Sequence, residues 1–251
     1  MTRPVEVFPE PEALAQRAAA LVDETVARAR SERGRAMVAL SGGGTPKRTY
    51  QLLAERGTLA GDDVGIFFVD ERCVPPADHA SNYRLVAETI GDHGNVHRIR
   101  GELDADEAAR EYETLLREHF AQVPPAFDLL LLGVGGDGHT ASLFPDAPEL
   151  GERERLVVAT VKEHGWVRRV TMTLPVLNAA RRSLMLATGR DKARAIADVL
   201  SGGTSPAARA LGAELLIDEA AAGSGPEPPN RRARPATEEL FDLTTEDADD
   251  F

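Results

Sequence analysis

Asp137 and His139 stand two residues apart among glycines, in the stretch Phe127–Pro145 that reads FDLLLLGVGGDGHTASLFP. A neutral imidazole accepts a proton at physiological pH, and a neighbouring carboxylate fixes its orientation, so this spacing suits a general base with its orienter. Taken alone, the same residues also describe a tight, capped turn. Three further stretches add to the chemistry. SGGGTP (Ser41–Pro46) lies between an apolar run and a helical pattern. There Gly42, Gly43 and Gly44 expose backbone N–H groups toward a helix N-terminus, whose dipole favours negative charge. Thr45 is expected to be the N-cap and Pro46 the first helical residue. This is the pattern of a phosphate cradle, and without a GK[ST] ending it is not a nucleoside triphosphate loop. Asp70, Glu71 and Arg72 in VDERCVP sit at a strand end, where a guanidinium offers a planar fork of donors to a phosphate, a carboxylate or a developing oxyanion. In TGRDKARA, Lys192 falls in the first turn of a helix, a poor place for a cation unless an anion is near. The plain alternatives are a strand-to-helix turn, a surface ion-pair cluster and an exposed helix charge.

The elements that must position these residues alternate in type. Apolar residues at helical spacing (Leu14, Ala18, Leu21, Val22, Val26) predict a helix over Pro11–Arg33. A strand over Ala36–Leu40 leads into SGGGTP and a helix over Lys47–Arg56. Val64–Val69 reads as a strand ending in Asp70-Glu71-Arg72, and Asn82–Ile90 as a helix. Val96–Ile99 reads as a short strand, Asp104–Gln122 as a charged helix, and Phe127–Leu132 as the strand before Asp137. Strands over Leu156–Val161, Val170–Leu174 and Ser183–Thr188 and a helix over Asp191–Leu200 follow. Such alternation implies an α/β fold: a largely parallel, twisted, doubly wound sheet of Rossmann-like type with helices on both faces. In open sheets of this kind ligands bind beyond the carboxyl ends of the strands, where the glycine loops fall.

The 251 residues, 42% of them hydrophobic, suffice for one substantial domain, expected over residues 1–222. From residue 223 the chain turns Pro- and Gly-rich, then acidic, which predicts a flexible tail in which Leu240, Phe241 and Leu243 are the only candidates for docking. The formal charge of −12 excludes nucleic acid and anionic membranes as main partners, so an anionic substrate must be met by local cations. The lone Cys73 excludes an internal disulfide and a cysteine-based zinc site, and reads as a small buried hydrophobe. The first residues show no apolar signal core, and no run is long enough to span a membrane. A soluble, cytoplasmic protein is expected, monomeric or weakly homo-oligomeric, with no cofactor and no metal.

At these residues the chain resembles the 6-phosphogluconolactonases. The resemblance rests on SGGGTP (Ser41–Pro46), DERCVP with Ser81–Asn82 ten residues on, and LLGVGGDGHTASLFP (Leu131–Pro145). RRVTMTLPVLNAA (Arg168–Ala180), TGRDKA (Thr188–Ala193) and PAAR (Pro206–Arg209) complete it, from about Val5 to about Ala222. The fold is shared with glucosamine-6-phosphate isomerases, from which Arg72 and the TASLFP string set this chain apart. It departs from the family at Lys162–Trp166, where prolines are common, and at Ile217, where an aromatic is common. The resemblance implies hydrolysis of 6-phospho-D-glucono-1,5-lactone to 6-phosphogluconate, a step of the oxidative pentose phosphate pathway. His139 would then activate water, and Asp137 or Asp70 would orient the ring or polarise the water. Arg72 would stabilise the oxyanion or hold substrate. The phosphate would lie against Gly42, Gly43, Gly44 and Thr45, with Arg169 and Lys192 supplying charge.

Three rivals compete with this reading. Gly133–Gly138 formally matches the GxGxxG of dinucleotide-binding enzymes, but Pro145 closes the segment where a long helix should open. An amino-sugar-phosphate isomerase and a non-catalytic sugar-phosphate-binding protein of the same fold are the others. A non-catalytic binder has no need of both His139 and Arg72. Ser41 and Ser142 lie in no GxSxG elbow, which argues against a covalent mechanism.

Overall fold

A computed structural model of the chain describes residues 3–93, 95–163 and 166–224. The expected acidic tail lies outside these from residue 225 on, as do His164 and Gly165. A short edge strand, β1 (Val5–Phe8), runs into α1 (Pro11–Arg33), whose Pro11 sits in the first turn and whose end is set by Gly34. Gly34 adopts φ 73°, and its N–H donates to the Arg30 carbonyl, a left-handed cap that favours glycine. The buried stripe Leu14, Ala18, Leu21, Val22, Val26 and Ala29 faces the sheet, where α1 packs on β1 and on β2 (Ala36–Leu40), β5 (Leu129–Gly133) and β9 (Glu214–Asp218).

With β3 (Val64–Phe68) and β8 (Ser183–Ala187) these strands form a six-stranded sheet in the order β1-β9-β8-β5-β2-β3, parallel throughout. Every residue of β2, β3 and β8 is buried, which requires cover on both faces and accounts for their unbroken apolar sequences. The expected fold class is therefore observed. From β2 the chain passes through α2 (Gly44–Arg56) to β3 on one side, while β5 lies on the other. The strand order thus switches at β2/β5, and the crevice beyond the two carboxyl ends is flanked by the Ser41–Thr45 and Gly133–His139 loops.

A second sheet, not expected from the sequence, stands beside the first. It is antiparallel, in the order β4 (Asp70–Arg72), β7 (Arg169–Met172), β6 (Val157–Ala159). Val69 is the changeover: its N–H donates to Leu40 in the parallel sheet, and its carbonyl accepts from Met172 in the antiparallel one. Asp70–Arg72 is therefore a strand of its own rather than the end of β3. α3 (Asn82–Thr89) packs on β4, and α4 (Ala105–His119) covers β6 and β7. Val157, Val170 and Met172 join the same hydrophobic core as Leu40 and Phe68. α5 (Leu174–Ala179), α6 (Ala193–Leu200) and α7 (Pro206–Arg209) complete the described chain.

Three local expectations are corrected. α2 begins at Gly44 with Gly43 as N-cap at φ 100°, so Thr45 is not the cap and Pro46 is not the first helical residue. The positive φ needed there suits glycine, and the Thr45 hydroxyl instead meets that of Thr188 at 3.1 Å. Val96–Ile99 forms only an isolated bridge from Val96 to Ile66. Lys192 ends a short 3₁₀ turn, Arg190–Lys192, and caps α6 instead of lying in its first turn.

Candidate active site

The crevice holds a cavity of about 200 Å³ whose wall includes Ser41–Pro46, Asp70, Arg72, His139, Arg169 and Lys192. All the candidates singled out in the sequence line it except Asp137, which stands behind His139.

The Gly133–His139 loop is shaped by backbone bonds. The Gly135 N–H donates to the His139 carbonyl (2.8 Å), the Gly138 N–H donates to the Gly135 carbonyl (2.9 Å), and Gly138 adopts φ 87°. Gly135 lies directly under the imidazole, since a Cβ there would come within 2.1 Å of His139 Nδ1. One Asp137 carboxylate oxygen accepts both from the His139 backbone N–H (3.1 Å) and from the ring at Nδ1 (2.6 Å). An ionised carboxylate only accepts, so Nδ1 carries the proton and the Nε2 lone pair is left for substrate or water. Burial raises the Asp137 carboxyl, but the His139 backbone N–H, charge and ring hydrogen bond outweigh it and hold the pKa below the ordinary value. The ring also packs on Phe144 (4.6 Å between centroids), over which the Arg169 guanidinium lies at 5.4 Å.

The opposite wall is assembled across the antiparallel sheet, where Arg72 and Arg169 are direct cross-strand partners. Burial first, and the charge of Arg72 second, pull the Arg169 pKa below the usual arginine value, against the pull of Asp70, Asp137 and Glu71. Two guanidiniums placed opposite one another repel, an arrangement that a bound anion relieves. Arg72 Nη1 donates to the Ala80 carbonyl. Lys192 reaches the cavity and pairs with Asp191 at 2.7 Å. At the mouth of α2 no side chain caps the helix and its first turn carries no acidic residue.

Glu71, Asn82 and Ser142 hold this wall together, a role that the sequence did not assign them. Glu71 is buried and accepts from Ser81 Oγ (3.0 Å) and from the backbone N–H groups of Arg72 (2.7 Å), Asn82 (2.8 Å) and Tyr83 (2.8 Å). Burial raises its pKa, and these hydrogen bonds oppose the rise. Asp70 accepts from Ser142 Oγ at 2.6 Å and from Asn82 Nδ2 at 3.3 Å. The Ser81-Asn82 string was the available signal, without a role attached to it. Burial pushes the half-buried Cys73 thiol up to about 11, which leaves it little thiolate character. A separate cavity of about 780 Å³ lies across the 136–138 loop, lined by Asp137, Arg194, Asp198 and Arg209 among others. It lacks His139, Arg72, Arg169 and Lys192.

The model of the family described as glucosamine-6-phosphate isomerases/6-phosphogluconolactonase matches residues 9–217. The chain belongs to this family. It is 37% identical to the 6-phosphogluconolactonase of Synechocystis over 216 residues, covering 82% of this chain and 88% of that protein. The identity to the Mycobacterium tuberculosis 6-phosphogluconolactonase is 33% over 248 residues, covering 90% and 100%. Among solved structures, the 6-phosphogluconolactonase of Trypanosoma cruzi superposes with a TM-score of 0.81 at 26% identity, covering 89% of this chain and 97% of that one. That of Trypanosoma brucei gives 0.80 at 28%, covering 88% and 98%. Among the described residues no helix is long and apolar enough to cross a membrane.

Proposed function

We propose that the protein hydrolyses 6-phospho-D-glucono-1,5-lactone to 6-phosphogluconate, the reaction named for its relatives in the oxidative pentose phosphate pathway. The observation that carries the reading is the 2.6 Å His139–Asp137 pair beside a cavity that also holds two guanidiniums, an ammonium and a glycine-rich helix mouth. His139 Nε2 takes a proton from water as its oxygen adds to the lactone carbonyl carbon. The tetrahedral oxyanion collapses, the bond from that carbon to the ring oxygen breaks, and the imidazolium returns its proton to the departing oxygen. Asp137 keeps the ring in the productive tautomer and offsets the transient positive charge. The phosphate lies against Gly42, Gly43, Gly44 and Thr45 with Arg169 and Lys192 beside it, and Arg72 adds a second guanidinium toward the anionic centres. Asp70 mounts Asn82 and Ser142 in this wall.

The test is acid release from 6-phosphogluconolactone at neutral pH, corrected for spontaneous hydrolysis, beside an assay of ketose and ammonia release from glucosamine 6-phosphate. Acceleration of the first alone supports the reading. Turnover of the amino sugar without lactone hydrolysis contradicts it in favour of the isomerase branch.

A further inference from the structure

Asn82 begins α3 immediately after the Ser81 cap and is 2% exposed. Its Nδ2 donates to the Asp70 carbonyl (2.9 Å) and to Asp70 Oδ1 (3.3 Å). Both partners accept, so the NH₂ group must face Asp70 and the side-chain carbonyl must face away. Asn82 lines the cavity, and its buried carbonyl lies against Gly42, in the slot where a side chain at position 42 would be: a Cβ there would lie 1.7 Å from Asn82 Oδ1. Asn82 Oδ1 accepts no hydrogen bond from the described residues. A buried amide carbonyl left without a donor is costly, and buried polar groups are nearly always matched. The amide is also firmly mounted, since Asp70 is itself held by Ser142 at 2.6 Å. Neighbouring Ser41 lines the same cavity, and its buried Oγ likewise has no partner among the described residues.

Such a carbonyl needs a donor. On a phosphorylated aldonolactone, the ester and the ionised phosphate offer acceptors only, and the ring hydroxyls supply the donors. Resting on the lactonase reading above, we infer that Asn82 is a specificity-determining residue whose side-chain carbonyl accepts a hydrogen bond from a ring hydroxyl of the substrate. Gly42 is then glycine for two reasons: it bares its N–H to the anion and it leaves room for this carbonyl.

The experiment compares kcat/KM of the wild type and of Asn82→Ala on 6-phosphogluconolactone and its 2-, 3- and 4-deoxy forms. One deoxy form should cost the wild type about 10- to 100-fold, because it buries the carbonyl unpaired. Asn82→Ala should lose a similar factor on the parent lactone and then tell that deoxy form from the parent by less than about threefold. Should Asn82→Ala fail to fold, Asn82→Leu, which fills the same space without an acceptor, takes its place with the same expectation. Wild-type rates on all three deoxy forms within about threefold of the parent overturn the inference without any variant. Wild-type discrimination retained by the variant also overturns it, leaving Asn82 as a mount for Asp70. No acceleration of the parent lactone by the wild type overturns the lactonase reading itself, a result distinct from either.

Discussion

The loop that carries Asp137 and His139 is bonded mainly within itself, with the Ala207 N–H to the Gly138 carbonyl (3.0 Å) as a bond from outside, whereas the wall made by Asp70, Glu71 and Arg72 is held by residues further off in the chain. In the loop, Gly135, Gly138 and His139 bond to one another, and the Asp137 side chain is 52% exposed. In the wall, Asp70 and Glu71 are buried and depend on Ser142, Ser81, Asn82 and Tyr83. Polar groups near water lose little stability when a partner is removed, and desolvated ones lose much. Substitutions in the loop should therefore strike the rate alone, and those in the wall should strike rate and stability together.

The sharpest break of that comparison is His139→Gln. It should lower kcat by about 10²–10⁴-fold with KM little changed and Tm within a few degrees of wild type. Near wild-type turnover would remove His139 from the mechanism. Next, Glu71→Ala leaves four donors without their acceptor, two buried and two part-buried, and should cost about 3–5 kcal/mol by urea denaturation. A loss below about 1 kcal/mol would mean the wall is no more demanding than the loop. Then, Arg169→Ala and Lys192→Ala should each raise KM for the phosphorylated lactone by about 10- to 100-fold, each removing a charge-assisted contact.

The smallest effect concerns pH. A carboxyl held below its ordinary value stabilises the fold at pH above the unfolded value, about 4, and loses that contribution only as the pH falls through its depressed one. The Tm difference between the wild type and Asp137→Asn should thus stay constant from pH 8 to 5 and shrink only below about pH 4. A difference that already shrinks between pH 8 and 5 would mean that Asp137 is not held as an ionised carboxylate.

The same contrast decides what was legible in the sequence. Asp137 and His139 are close in the chain and sit where a strand ends in glycines, so their meeting needs no tertiary knowledge. The parallel sheet is legible because β2, β3, β5 and β8 are long apolar runs. The antiparallel sheet is legible only in part: Leu156–Val161 and Val170–Leu174 read as strands and contain most of β6 and β7, but a strand as short as Asp70–Arg72 shows no period, and no local signal pairs the three. Arg72 and Arg169 could each be singled out, but only the β4–β7 register makes them partners. Gly43 replaces Thr45 as the cap because the chain must leave β2 with a positive φ, a demand that the capping preference of threonine does not reveal. The buried roles of Glu71 and Asn82 depend on α3 folding back onto β4, which no local pattern announces.

In the proposed reaction one cavity joins an imidazole base to a phosphate grip. The most direct test is the ratio of kcat/KM for 6-phosphogluconolactone to that for unphosphorylated gluconolactone, in the wild type and in an Arg169→Ala, Lys192→Ala double variant. The wild-type ratio should be about 10² or more, the worth of two charge-assisted contacts, and should collapse toward one in the double variant while the unphosphorylated rate persists. A ratio that survives the double substitution, or rates on both lactones that fall together, would mean that Arg169 and Lys192 do not hold the phosphate.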